Sequence, residues 1–252
     1  MASGQIYIPP ETYVLGDLIR AWPRWKKLTW SEKVWLFCAH FDRHKHRQDF
    51  DIETFSPLAD RAQNWSDDRR HLHCLLHEFY NFMAEQHGYT TARWGDKTPW
   101  NTMHLDKIVP FFKGAAYIHL IRDGRDVVAS QIAADMRDTT GSVERYISAN
   151  NACEKHLKNA QHVLKVRYED LVSVPEQTFE NIFNWAGMRF QADFLTQVPK
   201  KLGDVDALAH HANVLKPITP DSIGKWKNVF SHNDVEAFGK PFGDQLQRYG
   251  YA

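Results

Sequence analysis

The chain has 252 residues, 43% of them hydrophobic and 13% aromatic, with 31 basic and 31 acidic side chains and no formal net charge. That composition suits one α/β domain with a substantial core and excludes a compositionally disordered chain. The balanced charge gives no global reason to expect nucleic-acid or anionic-membrane binding, so any anion site must be local.

The N-terminal MASGQIYIPPETY has neither a basic n-region nor an apolar h-region, and reads as no signal peptide. No stretch approaches the roughly 18 uninterrupted apolar residues of a membrane span. Thr12 to Arg20 reads as a helix that Glu11 could cap. Asp17 to Gln86 holds Trp22, Trp25, Trp30, Trp35 and Trp65, and helical apolar spacing in WSEKVWLFCAHF and HLHCLLHEFYNFM. It is expected to form a helical insertion or cap over about 17–90, with His40, His44 and His46 on a solvated face. His73 and His77 stand at i, i+4, a spacing that can hold zinc, but the Glu is misplaced for HExxH and no third ligand is evident, so no metal is expected.

Three apolar runs predict buried strands at Thr91–Trp94, Ala115–Ile121 and Val163–Tyr168. Helical patterns follow at Val127–Met136, Gly141–Ala160 and Pro175–Trp185, the last with Pro at its first position and Glu176 in its first turn. Strands alternating with helices predict a parallel sheet flanked by helices. Lys200 to Pro220 reads as a loop. Cys38, Cys74 and Cys153 form neither a disulfide framework nor a CxxC knuckle, which suits a reducing, cytoplasmic setting.

The most informative stretch is AAYIHLIRDGRDVVAS, residues 115–130. A strand ends at Arg122, turns through Asp123-Gly124, and gives way to a helix. Helix N-termini beyond strand ends favour phosphates, and arginines there add bidentate donors. Ser130 lies one to two turns into that helix. The residues alone leave two readings open, an anion site or a salt-bridged strand end in which Arg122 and Arg125 pair with Asp123 and Asp126.

This stretch resembles the 3′-phosphate-binding segment of sulfotransferases that use 3′-phosphoadenosine-5′-phosphosulfate (PAPS), with Arg122 and Ser130 at the family's spacing. Four further pieces resemble that family in order. WGDKTPWN at 94–101 is similar to its lysine segment, which implies Lys97 near the donor's sulfate end. VRYEDLVSVPEQTFENIFNWAGM at 166–188 is similar to its next strand and helix, which implies Tyr168 beside adenine. DSIGKWKNVF at 221–230 is similar to a late loop over the nucleotide, which implies Ser222, Gly224 and Lys225 at the phosphates. IPPETYVLGDLI at 8–19 is similar to the segment whose Glu is the base in the protein-tyrosine branch, which implies Glu11.

The resemblance implies a P-loop-NTPase-like parallel sheet in a single domain over 1–252. It implies sulfuryl transfer from PAPS to a hydroxyl acceptor, without a metal, leaving 3′-phosphoadenosine-5′-phosphate (PAP). Pro99 stands where the cytosolic branch has a histidine base. Neither an RSGT-like loop nor GxxxxGK[ST] occurs, so the N-terminal strand and 5′-phosphosulfate loop are expected to be missing. Two rivals stand beside this reading: a catalytically silent nucleotide-binding module, and another nucleotide-dependent transferase or kinase, which would need a P-loop lysine. Acceptor identity and oligomeric state, a homo-oligomer included, stay open.

Overall fold

The computed structural model describes residues 1–91, 93–197 and 217–251. The chain forms two compact units, one built on Met1–Phe111 and the other on Phe112–Thr196 with the C-terminal segment. The predicted loop Lys200 to Pro220 lies largely outside the described residues.

The first unit is helical, as the Trp-rich pattern predicts. Its helices are α1 (Leu15–Ala21), α2 (Trp30–Asp42), α3 (Ser56–Gln63), α4 (Leu72–Gln86) and α5 (Leu105–Phe111). The sequence Thr29-Trp-Ser-Glu32 starts α2 with a reciprocal capping box. In α4 the buried positions Leu72, Leu75, Leu76, Phe79, Phe82 and Met83 recur at helical spacing. They close on an aromatic core in which Phe41 and Phe79 stack at 3.8 Å and Phe55 lies 5.4 Å from Phe79. Gly16, isolated in sequence, is required by close packing: a Cβ there would sit 2.3 Å from the His104 ring.

The predicted strand Thr91–Trp94 is corrected to one parallel bridge between Tyr7 and Trp94. The ladder cannot extend because Pro9 and Pro10 follow Tyr7 closely and lack N–H donors.

The second unit holds a two-stranded parallel sheet, β1 (Ala116–Ile121) and β2 (His162–Arg167), paired from Ala116↔His162 to Ile121↔Arg167. Between them run α6 (Gly124–Ala133) and α7 (Thr139–His156). After β2 come α8 (Tyr168–Ser173), α9 (Pro175–Trp185), α10 (His232–Ala237) and α11 (Lys240–Arg248). The helix predicted over Pro175–Trp185 has those bounds. Those expected at 127–136 and 141–160 start earlier because Asp123 and Asp138 cap them. Val128, Val143, Tyr146, Phe242 and Leu246 form this unit's core. Gly124 lets α6 begin against that core, where a Cβ would fall 2.7 Å from Tyr146 and 2.9 Å from Phe242. One face of β1 buries His119 and Ile121, while Ile118 and Leu120 on the other are about half exposed, at 50% and 52%.

His119 is buried, bonded to Asn150 at 3.2 Å, and its imidazole is held below the ordinary histidine range chiefly by burial. Unfolding restores an ordinary imidazole near pH 6.5, so the unfolded chain binds a proton that the folded chain refuses. That stabilising contribution is complete above about pH 6.5 and is lost as pH falls through the depressed folded value. The midpoint of thermal unfolding should therefore fall between about pH 7.5 and about pH 5.5. It should fall less in His119→Gln; equal slopes would remove His119 from that account.

Candidate active site

In the first unit, two segments distant in sequence are stitched side by side. Tyr7 N–H donates to the Arg93 carbonyl and Gly95 N–H donates to the Tyr7 carbonyl, each at 2.9 Å. Asp96 then ties the segments of this seam together. Its carboxylate accepts from Thr12 Oγ1 at 2.8 Å, Tyr80 Oη at 2.6 Å and Asn101 Nδ2 at 2.7 Å. Burial, followed by the Asp96 charge, pushes the Tyr80 phenol well above its ordinary value and keeps it a donor. Thr12 N–H also donates to Thr98 Oγ1 at 3.0 Å.

This seam sets Glu11 opposite Lys97, whose Nζ donates to Glu11 Oε1 at 2.6 Å. The Glu11 side chain is 12% exposed and Lys97 66%. Glu11 Oε2 accepts from the Tyr13 phenol. Glu11 does not cap α1, whose N-cap is Val14 without a side-chain bond. An oriented carboxylate beside an ammonium can accept a proton from a hydroxyl and stabilise negative charge close by.

In the second unit, β1 ends one residue before Arg122. Arg122 Nη2 donates to the Ser222 carbonyl at 2.9 Å, and the guanidinium lies 4.4 Å from the Tyr168 ring centroid. Its Nε is buried and has no partner among the described residues. Arg125 behaves differently. It grips Asp123 through Nε and Nη2 at 2.7–3.2 Å, donates to the Tyr251 carbonyl at 2.6 Å, and covers the Trp226 ring at 4.2 Å. The salt-bridged strand end therefore holds for Arg125 and fails for Arg122. Asp126, 2% exposed, pairs with neither arginine; it accepts from Gly224 N–H at 2.7 Å and Trp226 N–H at 2.9 Å.

The sulfotransferase family is matched over residues 1–192. The chain belongs to the sulfotransferase family. A putative protein-tyrosine sulfotransferase of Caenorhabditis briggsae is 22% identical over 168 residues, 62% of this chain and 60% of that protein. Protein-tyrosine sulfotransferase A of Caenorhabditis elegans is 25% identical over 177 residues, 66% of this chain and 46% of that protein. The chain thus spans about half to three-fifths of the length of the curated relatives it matches. Its fold is that of two solved sulfotransferase domains. The one from the curacin biosynthetic pathway has a TM-score of 0.64 at 16% identity, covering 99% of this chain and 90% of that one. The one from the Synechococcus PCC 7002 olefin synthase has 0.64 at 19%, covering 100% and 87%.

Among the residues expected to carry the sulfotransferase site, Glu11 meets Lys97 in one unit, and Arg122 meets Tyr168 and Ser222 in the other. Ser222 engages Arg122 through its carbonyl, not its hydroxyl. Gly224 adopts a left-handed φ of 74° and spends its N–H on Asp126. Ser130 and Lys225 are exposed, Ser130 on the second turn of α6. Tyr13, Asp96 and Trp226 lie within the segments that carry the resemblance, but no short-range signal marks them, and Asp126 reads from sequence only as an arginine partner. His77 Nδ1 accepts from Trp94 Nε1 at 2.9 Å, and among the described residues no three metal-ligating side chains cluster. His44 and His46 are half-buried against the Tyr13 ring rather than on a solvated face.

Asp126→Asn replaces one of two acceptor oxygens with a donor. It should speed amide hydrogen exchange at Gly224 and Trp226 roughly tenfold or more. Mass spectrometry of the 220–230 segment reads this, and unchanged protection would deny Asp126 its anchoring role.

Proposed function

We propose that this chain transfers a sulfuryl group from PAPS to a hydroxyl acceptor. The observation that carries the reading is Arg122: a strand-end guanidinium braced on Tyr168 and the Ser222 carbonyl, which among the described residues has no carboxylate partner and no partner for its buried Nε. A buried N–H in that condition fits an anionic ligand such as the donor's 3′-phosphate.

PAPS supplies an activated sulfuryl group on a phosphate leaving group. Glu11 takes the proton of the acceptor hydroxyl as attack proceeds. Lys97 offers its ammonium to the charge that develops on the departing oxygen. Arg122, with the Ser130 hydroxyl, holds the 3′-phosphate. Tyr168, one face covered by Arg122, packs adenine on its remaining surface. Ser222, Gly224 and Lys225 belong to the segment at the phosphates; Gly224 acts through its Asp126 anchor rather than through its own N–H. On this reading β1 and β2 are part of a P-loop-NTPase-like sheet, in one domain carrying a helical insertion over about 17–90. A cytoplasmic setting is supported by three cysteines that form no disulfide. Likeness to protein-tyrosine sulfotransferases supports a tyrosine hydroxyl as the first acceptor to try.

A second reading, a nucleotide-binding module without turnover, draws support from β1. Parallel sheets are ordinarily covered on both faces, whereas Ile118 and Leu120 are half exposed.

Calorimetric titration with PAP, with ATP as control, tests the nucleotide half. Binding should discriminate against ATP and weaken roughly tenfold to a hundredfold in Arg122→Ala; absence of PAP binding overturns the reading. Glu11→Gln and Lys97→Ala should each lower kcat for transfer to a tyrosine peptide by roughly a hundredfold. Unchanged turnover in either variant removes that residue's role, and PAP binding without any wild-type transfer selects the second reading.

A further inference from the structure

Tyr13 has no part in the proposed chemistry, yet three observations converge on it. Its phenol donates to Glu11 Oε2, the oxygen opposite the one that Lys97 occupies. Its backbone is left-handed, with φ 57°, a conformation that penalises a bulky side chain. The other two non-glycine residues with positive φ among the described residues are Asp51 and Asp135, whose side chains tolerate that region. Finally, its ring is seated against two imidazoles, His46 at 4.8 Å and 26° and His44 at 5.9 Å and 12°.

A strained aromatic residue persists only where its surroundings over-determine it, and such strain gathers at functional sites. What the strain secures is specific. With the Thr12 backbone stitched to Thr98 and the Thr12 hydroxyl to Asp96, the chain must turn back for a side chain at position 13 to reach Glu11. The left-handed turn does this. The imidazoles then hold the ring, and the ring delivers the hydroxyl. Glu11 is left with a donor on each oxygen, which fixes the plane of its carboxylate.

We infer that Tyr13 is a positioning residue for Glu11, holding the carboxylate in the single orientation from which it meets an acceptor hydroxyl. The inference rests on Glu11 being the base. A base held in one geometry gains rate through alignment, and loosening it costs turnover rather than substrate affinity. The phenol neither binds donor nor takes a proton; it acts through Glu11.

Tyr13→Phe keeps the ring, the stack and the backbone turn, and deletes only the hydroxyl. With PAPS and a tyrosine peptide, kcat should fall roughly tenfold or more while the KM for PAPS and the unfolding midpoint stay put. In a Glu11→Gln background the same substitution should cost nothing further, because the group it positions is already disabled. Unchanged kcat in Tyr13→Phe, or an undiminished loss in the Glu11→Gln background, overturns the inference. So does a rise in kcat or a sulfuryl group found on Tyr13 itself, since the phenol would then be occupying the acceptor's place. If Glu11→Gln turns over like the unmodified chain, the base assignment falls and the inference with it. If Glu11→Gln is inactive and Tyr13→Phe is not impaired, only the role of Tyr13 is lost.

Discussion

The turn from β1 into α6 sets the geometry of the second unit. A strand end and a helix start can sit this close to Tyr146 and Phe242 only if the first helical residue has no side chain, and Gly124 meets that condition. Asp123 then caps the helix and pairs with Arg125, which neutralises that guanidinium's charge locally. With its neighbour engaged, Arg122 is the strand-end guanidinium without a carboxylate partner among the described residues. Asp126, one position further on, is buried and turned toward the backbone of Gly224 and Trp226. Two acids and two arginines in five residues thus divide the work: one pair is structural, one acid anchors a distant segment, and one arginine keeps an N–H with no partner among the described residues.

A comparable division operates in the first unit. Asp96 has three donors from three segments, so it contributes order. Lys97 and Glu11, flanking the same seam, keep partial access to solvent and the smaller bond set. A partly buried acid held by three donors can fix the backbone beside a second acid, whose geometry then depends on the immobility of the first.

Pattern alone carried much of the fold. The alternation of apolar runs with helical periodicity located β1, β2, α7 and α9 within a few residues, and the Trp-rich stretch is largely helical, its helices joined by short turns and loops. The failures have local causes. Thr91–Trp94 has strand composition, but its partner runs into prolines after one bridge. His44 and His46 are polar enough to belong on a solvated face, yet they serve as the seat for an aromatic ring.

By itself the sequence determined the family and a set of candidate site residues, because these depend on residue type and on short spacings within local motifs. Glu11, Lys97 and Arg122 were named as candidates through the family resemblance of the segments that hold them. Tertiary structure alone decided what each of them touches. The Lys97–Glu11 bond spans 86 positions, Arg122 to Ser222 spans 100 and Gly224 to Asp126 spans 98. No periodicity reports contacts of that range. Which arginine is neutralised, which acid is an anchor and why a tyrosine accepts a left-handed backbone are settled by packing, where close approach and the need to satisfy buried polar groups choose among partners that the sequence leaves equivalent.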